Sequence, residues 1–464
     1  MHRFWTLVLM ISLSQFTVGQ HVTKCYEDHV LNNYFEQSYP GFQEAREALF
    51  LKALDYASHH AEDHRAKQQS PDTIYRFPVV VHIVYNEAAE NLDEQLIQDQ
   101  IDVLTRDFRR QNADTSDLRS IFLPVAADAG IEFFLADIDP DGNPTNGITR
   151  TNTSTTSFGS ITSLDLVKDS TTGGKNAWPT DEYLNIWVCD LSIPLLGDAA
   201  LGFAYPPIEA PNWPSELQNT QEQYEGIVIH YKVFGPNNPL ATGLLSIADQ
   251  GRTPVHEMGH YLGLRHIWGD AGNPLLGGVD CDPNLDDGFD DTPNAGNNSQ
   301  ATGCDKTKNS CGGGDPNDLP DMIENYMDYS TETCQVTFTA QQAGLMRAMV
   351  VLGRTGMADV YVNDVRIIDG KFRENGPSTN LHALEAGKSM IYPNPSAEEI
   401  TITWPSNIEG RDISIYSVAG IHVASSIPQR EVTTIDISSL LPGHYMVQIE
   451  FTNGIKEFIP LIKQ

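Results

Sequence analysis

The chain has 464 residues and a formal net charge of −33 at pH 7, from 62 Asp and Glu against 29 Lys and Arg. That balance excludes a nucleic-acid partner, because phosphate backbones need basic patches, and the length predicts two or three folded units. It suits a soluble secreted protein, expected as a monomer.

The first thirteen residues combine a short basic start with an apolar run of about ten residues, too short to span a bilayer. Residues 1–19 therefore read as a secretory signal peptide, cut after Gly19. Lys24 stands where a lipoprotein anchor on Cys25 would need a small residue, and no other apolar run is long enough to cross a membrane. Residues 20–69 are rich in charge, His and Gln, with Tyr34, Phe35, Phe42, Ala45, Leu49, Leu51 and Leu54 as an interrupted helical face. They read as a propeptide. Its one cysteine, Cys25, offers a thiolate that can fill an open metal position and hold a zymogen latent. A propeptide carboxylate such as Asp28 or Asp63 is the competing blocker, and a plain thiol near a terminus the bland reading.

Residues 70–355 form the expected central domain. Residues 76–85 read as a buried strand, and 92–110 as a helix with Leu96, Ile97, Ile101, Leu104 and Phe108 on one face. Residues 131–136 and 184–188 are further strands, and 201–206 is the expected edge strand, stopped by Pro206 and Pro207. An exposed edge lets an extended peptide add itself by main-chain hydrogen bonds. This order predicts an α/β (α+β) unit with a twisted mixed sheet and an active-site helix.

That helix is read from His256-Glu-Met-Gly-His-Tyr-Leu-Gly-Leu-Arg-His266. His256 and His260, four residues apart, project from one helix face, so one metal can hold both. Thr253 can cap the helix and Pro254 is acceptable at its first position. Gly263 can take positive φ, end the helix and bring His266 back as a third ligand. Three imidazoles and an open fourth position make a catalytic zinc site, and Glu257 beside them is placed to take a proton from water. With 14 histidines in 464 residues, chance gives these five letters on the order of once in ten thousand such chains.

The motif, continued by Ile267-Trp-Gly-Asp270, resembles the metzincin metallopeptidases, specifically the pappalysin family in its ulilysin or cytophagalysin branch. The resemblance covers roughly residues 70 to 355 and is strongest from 201 to 330. It implies that Met327, in Glu324-Asn-Tyr-Met-Asp-Tyr-Ser330, forms the methionine turn beneath the histidines. It also implies that Tyr329 donates to the oxyanion of the transition state. Spacing alone leaves three pairings open for Cys281, Cys304, Cys311 and Cys334, and a second zinc is disfavoured because no Cys-x-x-Cys occurs. The resemblance implies Cys281–Cys311 and Cys304–Cys334. Cys189, in an apolar strand run, reads as core.

Asp280, Asp282, Asp286, Asp287, Asp290 and Asp291 crowd one loop. Six carboxylates this close repel each other unless a hard cation neutralises them, although a lone acidic run is usually a solvated loop. Its Asp-Asp-Gly-x-x-Asp-Thr-Pro segment resembles the calcium loop of ulilysin-like enzymes, which implies Asp287, Asp291 and Thr292 as ligands. Some relatives prefer Arg or Lys on the primed side through an acidic residue near the methionine turn; Glu332 and Gln335 lie there, and the sequence does not place either in the pocket.

Residues 356–390 read as a linker, and 391–464 as a small antiparallel β-sandwich with strands at 400–404, 412–416, 433–437, 445–451 and 456–462. Tyr392-Pro-Asn-Pro395, Leu441-Pro-Gly-His-Tyr445 and a lysine-bearing last strand resemble the C-terminal sorting domain of type IX secretion cargo. A carbohydrate or adhesin module shares that architecture, but no aromatic platform favours it. The resemblances imply a secreted or cell-surface zinc endopeptidase of a Gram-negative bacterium, acting on proteins or peptides and exported by the type IX machinery as a latent zymogen. A catalytically silent binding module is the rival, and intact Glu257 and Tyr329 argue against it.

Overall fold

A computed structural model describes residues 23–25, 32–59, 74–160, 163–193, 197–198, 200–205, 225–269, 281, 286–312, 318–353, 361–362, 365–368, 371–374, 389–392, 396–404, 410–417, 422–428, 432–441, 443–452 and 456–463. The expected signal peptide, Pro206, Pro207, Asp28, Asp63, Asp280 and Asp282 lie outside them.

The strand expected at 76–85 is β2 (Tyr75–Tyr85), the longest of the sheet, and eight of its residues are buried. Being covered on both faces, it reads as a continuous apolar run rather than an alternating one. The first half of one β2 edge pairs in parallel with β3 (Ile131–Leu135), and the second half with β4 (Ile148–Asn152). Its other edge pairs in parallel with β5 (Leu184–Cys189), which pairs in parallel with β7 (Gly226–His230). β6 (Ala200–Tyr205) is antiparallel to β7. The mixed α/β sheet expected from the sequence is thus present, and β4 and β7 are among the strands the sequence reading missed.

β6 is not a free edge. Residues Thr23–Cys25 form a further strand, β1, which pairs with it in parallel, Thr23 opposite Ala200 and Cys25 opposite Gly202. The N-terminal segment goes on through α1 (Asn32–Ser38) and α2 (Phe42–His59). Phe42, Ala45, Leu49, Phe50 and Ala53 are buried along α2 and join the same core as the sheet. Leu51, expected on that face, is 55% exposed. Nine residues beyond Phe42, at about 100° each, it falls on the opposite side of the helix.

α3 (Glu94–Phe108) covers one face of the sheet with Ile97, Ile101, Leu104 and Phe108 buried, its N-terminus capped by Asp93 through the Leu96 amide. α4 (Thr253–Tyr261) is buried along its whole length, and α5 (Ala340–Gly353) packs against α2. Thr253 does not cap α4. Its hydroxyl donates to Glu332 Oε1 at 2.7 Å, because Glu332 already holds the Gln250 amide at the helix entrance.

Within 356–390, the stretch that reads as a linker, lie three short antiparallel strands, Tyr361–Val362, Val365–Ile368 and Lys371–Glu374. The Asp369-Gly370 pair between the last two is a strong hairpin signal. Beyond it, a three-stranded sheet (Met390–Tyr392, Glu399–Thr403, Val432–Asp436) faces a four-stranded one (Gly410–Ser417, His422–Ser426, Gly443–Phe451, Lys456–Lys463). Ile400, Ile402 and Ile435 from one sheet and Ile413, Val447, Ile449 and Leu461 from the other share one core. Among the described residues, no helix is long and apolar enough to cross a membrane.

Candidate active site

α4 carries His256 and His260 on one face, and its end brings the third histidine back. Gly263, at φ +89°, donates to the His260 carbonyl, and Leu264 donates to Gly259, the two bonds of a Schellman turn. The chain then runs through His266, whose Nε2 lies 3.2 Å from that of His256 and 3.1 Å from that of His260. His256 and His260 are 3.1 Å apart at the same atoms. Four ligands at the usual 2.0–2.1 Å around tetrahedral zinc sit ~3.3 Å from one another, so this triangle matches three corners of such a shell.

The far sides of two rings are also fixed. Nδ1 of His256 is 2.7 Å from the Tyr326 carbonyl and Nδ1 of His260 is 2.9 Å from that of Leu264. A ring donating from Nδ1 keeps the Nε2 lone pair free for a metal. Burial first, then His260 and His266, hold His256 well below the ordinary imidazole range. His266 stacks on Trp268 with ring centroids 4.4 Å apart.

Beneath the rings lies Met327, fully buried. A Cβ on Gly259 would come within 2.4 Å of its sulfur, so the small residue inside the motif lets the methionine approach the helix. The Ile267 amide bonds the Met327 carbonyl, tying the third-ligand loop to this turn. The Tyr329 ring lies 5.5 Å from that of His256 and 4.9 Å from that of His266, and its hydroxyl donates to the Cys25 carbonyl at 3.4 Å.

The N-terminal strand faces this triangle. The Cys25 sulfur belongs with the three Nε2 atoms to one group whose members lie within 4.8 Å of each other. The thiol also donates to Glu257 Oε2 at 3.3 Å. Glu257 is fully buried and presses against Gly202 of β6, where a Cβ would meet its Cγ at 2.7 Å.

Lys24 carries a feature the sequence reading missed. Its side chain is 1% exposed and its ammonium donates to the Ser330 carbonyl at 2.6 Å. Burial lowers its pKa to about 8, against the opposing pull of Glu332, Asp328 and Glu257. Its position beside Cys25 was the one sequence cue. Glu332 pulls electrostatically on this ammonium while bonded to Thr253 and Gln250, and Gln335 donates to the Asp328 carbonyl.

Cys281 is bonded to Cys311 and Cys304 to Cys334, with Cα separations of 5.6 and 5.8 Å. Cys189 is a buried free thiol. In the acidic loop, Asp287 is buried and accepts from Thr292 Oγ1 at 2.8 Å and from the Phe289 amide at 3.2 Å. Burial pushes the carboxyls of Asp287 and Asp291 up, Asp287 well above the usual range. Asp291 receives the Gln341 amide on Oδ2, while its buried Oδ1 has no hydrogen-bond partner.

A mixed sheet and a histidine triangle at the end of a short buried helix, with Met327 packed against that helix, define the fold of a metallopeptidase of the metzincin type. Residues 242–351 match the peptidase family described as pregnancy-associated plasma protein-A, and residues 390–463 match the secretion system C-terminal sorting domain. Mature mirolysin of Tannerella forsythia, solved with a cleaved peptide, is 43% identical, with a TM-score of 0.52 over 62% of this chain and 96% of that one. A promirolysin variant of the same organism is 38% identical, with a TM-score of 0.56 over 72% of this chain and 97% of that one. An extracellular metalloprotease of Arthroderma benhamiae is 33% identical over 35% of this chain and 47% of its own length, so the chain spans about half the length of such curated relatives. The chain belongs to the pappalysin family of metallopeptidases. With its sorting domain, it is a secreted or cell-surface protein of a Gram-negative bacterium.

Proposed function

We propose that this protein is a zinc endopeptidase that hydrolyses peptide bonds of extracellular proteins and is made as a latent zymogen. The observation that carries the reading is the triangle of Nε2 atoms with Glu257 beside it and the Cys25 thiol across it. His256, His260 and His266 would hold one zinc, and the spacing of their Nε2 atoms and the carbonyls behind two of the rings fit that ion. Bound zinc supplies positive charge that polarises the scissile carbonyl and acidifies water.

The chain's own groups do the rest. Glu257 takes the proton of the attacking water on its carboxylate and delivers it to the leaving amide nitrogen. Tyr329 donates its hydroxyl to the oxygen that gains charge. Once β1 leaves, the edge of β6 offers unpaired main-chain groups to an extended substrate. The buried seat of the Lys24 ammonium favours a basic substrate side chain at the same place, with Ser330 as acceptor and Glu332 and Asp328 as nearby negative charge.

The same proposal assigns residues 1–19 to a signal peptide, 20–69 to the propeptide, 70–355 to the catalytic domain, 356–390 to the connection and 391–464 to a domain read by type IX secretion machinery. It takes Cys25 as the latency ligand. It also takes Asp287, Asp291 and Thr292 as a structural calcium site, supported by the buried Asp287 carboxylate and the partnerless Asp291 oxygen. A hard cation would supply the missing counter-charge there.

Digestion of a peptide library, with mass spectrometry of the new termini, tests the function. Internal cleavages that vanish with a zinc chelator and return with added zinc are expected. Absence of internal cleavage by processed protein would refute the reading.

A further inference from the structure

The N-terminal segment is held far beyond the metal site. On α1, Phe35 is buried and meets the ring of Tyr205 edge-on at 4.9 Å, at the end of β6. On α2, Phe50 lies under the Arg265 guanidinium, whose carbon is 3.8 Å from the ring centroid, and Glu47 pairs with the same arginine. Phe50 also faces Phe289 at 6.2 Å. A Cβ on Gly288 would come within 3.2 Å of the Phe50 ring, so that glycine leaves room for it. Further along, Ala57 packs on α5 at Gly344. All of these partners belong to the central domain, and none of these contacts involves the thiol.

We infer that the catalytic domain carries a docking surface for α1 and α2, formed by Tyr205, Arg265, Gly288, Phe289 and α5. Its occupant is the N-terminal segment of this same chain, which stays bound after it is cut and acts as a separate inhibitor. The inference rests on the zymogen reading. A cut after His59 and before Tyr75 removes a covalent link and none of the contacts above. The buried face of Phe42, Ala45, Leu49, Phe50 and Ala53 would go into water if α2 left, which opposes release. Loss of latency then follows dissociation or digestion of the fragment, not the cut itself. The helical clamp also keeps β1 at high effective concentration against β6.

The test uses the full chain with a recognition sequence for an unrelated protease placed within residues 60–73. In a Glu257→Ala background, which prevents self-digestion, the cut fragment should co-elute with the remainder in size-exclusion chromatography at micromolar concentration. It should leave only on dilution below ~1 µM. In the otherwise wild-type chain, activity should lag behind the cut and appear on dilution or fragment digestion. Phe50→Ala should speed release roughly tenfold or more. If that variant does not fold, the dilution series on the unsubstituted chain decides alone. A fragment that separates in the first column, or activity that follows the cut one for one, would overturn the proposal. Cys25→Ala in the same cut chain separates it from the thiol reading. Retention of the fragment supports the helical clamp whatever the activity does, and loss of the fragment shows that the thiol alone held it and sinks the clamp.

Discussion

Gly202→Ala is the most pointed perturbation of the catalytic base. Gly202 lies in β6, opposite Ile229 of β7, and its φ is not in the left-handed region, so the backbone accepts alanine. The new methyl would stand 2.7 Å from Glu257 Cγ and 3.0 Å from Oε1, where ordinary contact begins at 3.4 Å. Cγ must therefore withdraw by about 0.7 Å, the difference of the two. Misplacement of a reacting group by ~1 Å costs up to about a hundredfold in rate, so kcat should fall ~10–100-fold. KM should change little, because the main-chain groups of β6 that pair with a peptide are untouched. Stability should fall modestly, since crowding of ~1–3 kcal/mol exceeds the relief of glycine's unfolded-state freedom, ~0.4–1 kcal/mol. The assay is steady-state hydrolysis of one peptide by processed enzyme, with zinc content and melting temperature alongside. Full kcat at full zinc content would show that β6 does not set the position of Glu257.

Gly259→Ala drives a methyl toward the Met327 sulfur, so the gain in helix propensity of ~1 kcal/mol should be outweighed by crowding of ~1–3 kcal/mol. A lower melting temperature with weakened zinc retention is expected, and a higher one would argue against the methionine floor. Cys25→Ala should move the precursor toward self-processing, and zinc X-ray absorption should show a sulfur ligand only in the wild-type precursor; an equally latent variant without that signal would point to a carboxylate blocker. Removing calcium should lower the melting temperature and raise self-cleavage in the loop at residues 280–293, and equal stability with and without calcium would count against the site. Peptides with Lys or Arg at the cleavage site should be cut at least tenfold faster than alanine counterparts, and indifference would show that the Lys24 seat is not a substrate pocket.

The histidine triangle was legible because most of its geometry is local. Helical spacing alone puts His256 beside His260, and one glycine returns the chain to His266. The strands covered on both faces were legible as apolar runs, and the alternating ones of the C-terminal sandwich by period. β7 was missed because Ile227-Val-Ile229, the apolar part of a five-residue strand, is too short for periodicity to tell it from part of a buried helix. β1 was missed because three residues carry no period, and its parallel seat on β6 is a purely tertiary event. For the same reason Lys24 read only as a residue excluding a lipid anchor, although the fold buries its ammonium. Thr253 was misjudged because Glu332, 79 residues away, outcompetes the local cap.

Zinc content and peptide hydrolysis measured together on Glu257→Ala test the central claim most directly. Processed wild-type protein should carry one zinc per chain and cleave peptides, losing both on chelation. Glu257→Ala should keep the zinc, since His256, His260 and His266 remain, and lose cleavage by at least about a hundredfold. A variant that keeps near-wild-type turnover, or a wild-type protein that hydrolyses peptides without zinc, would contradict the account.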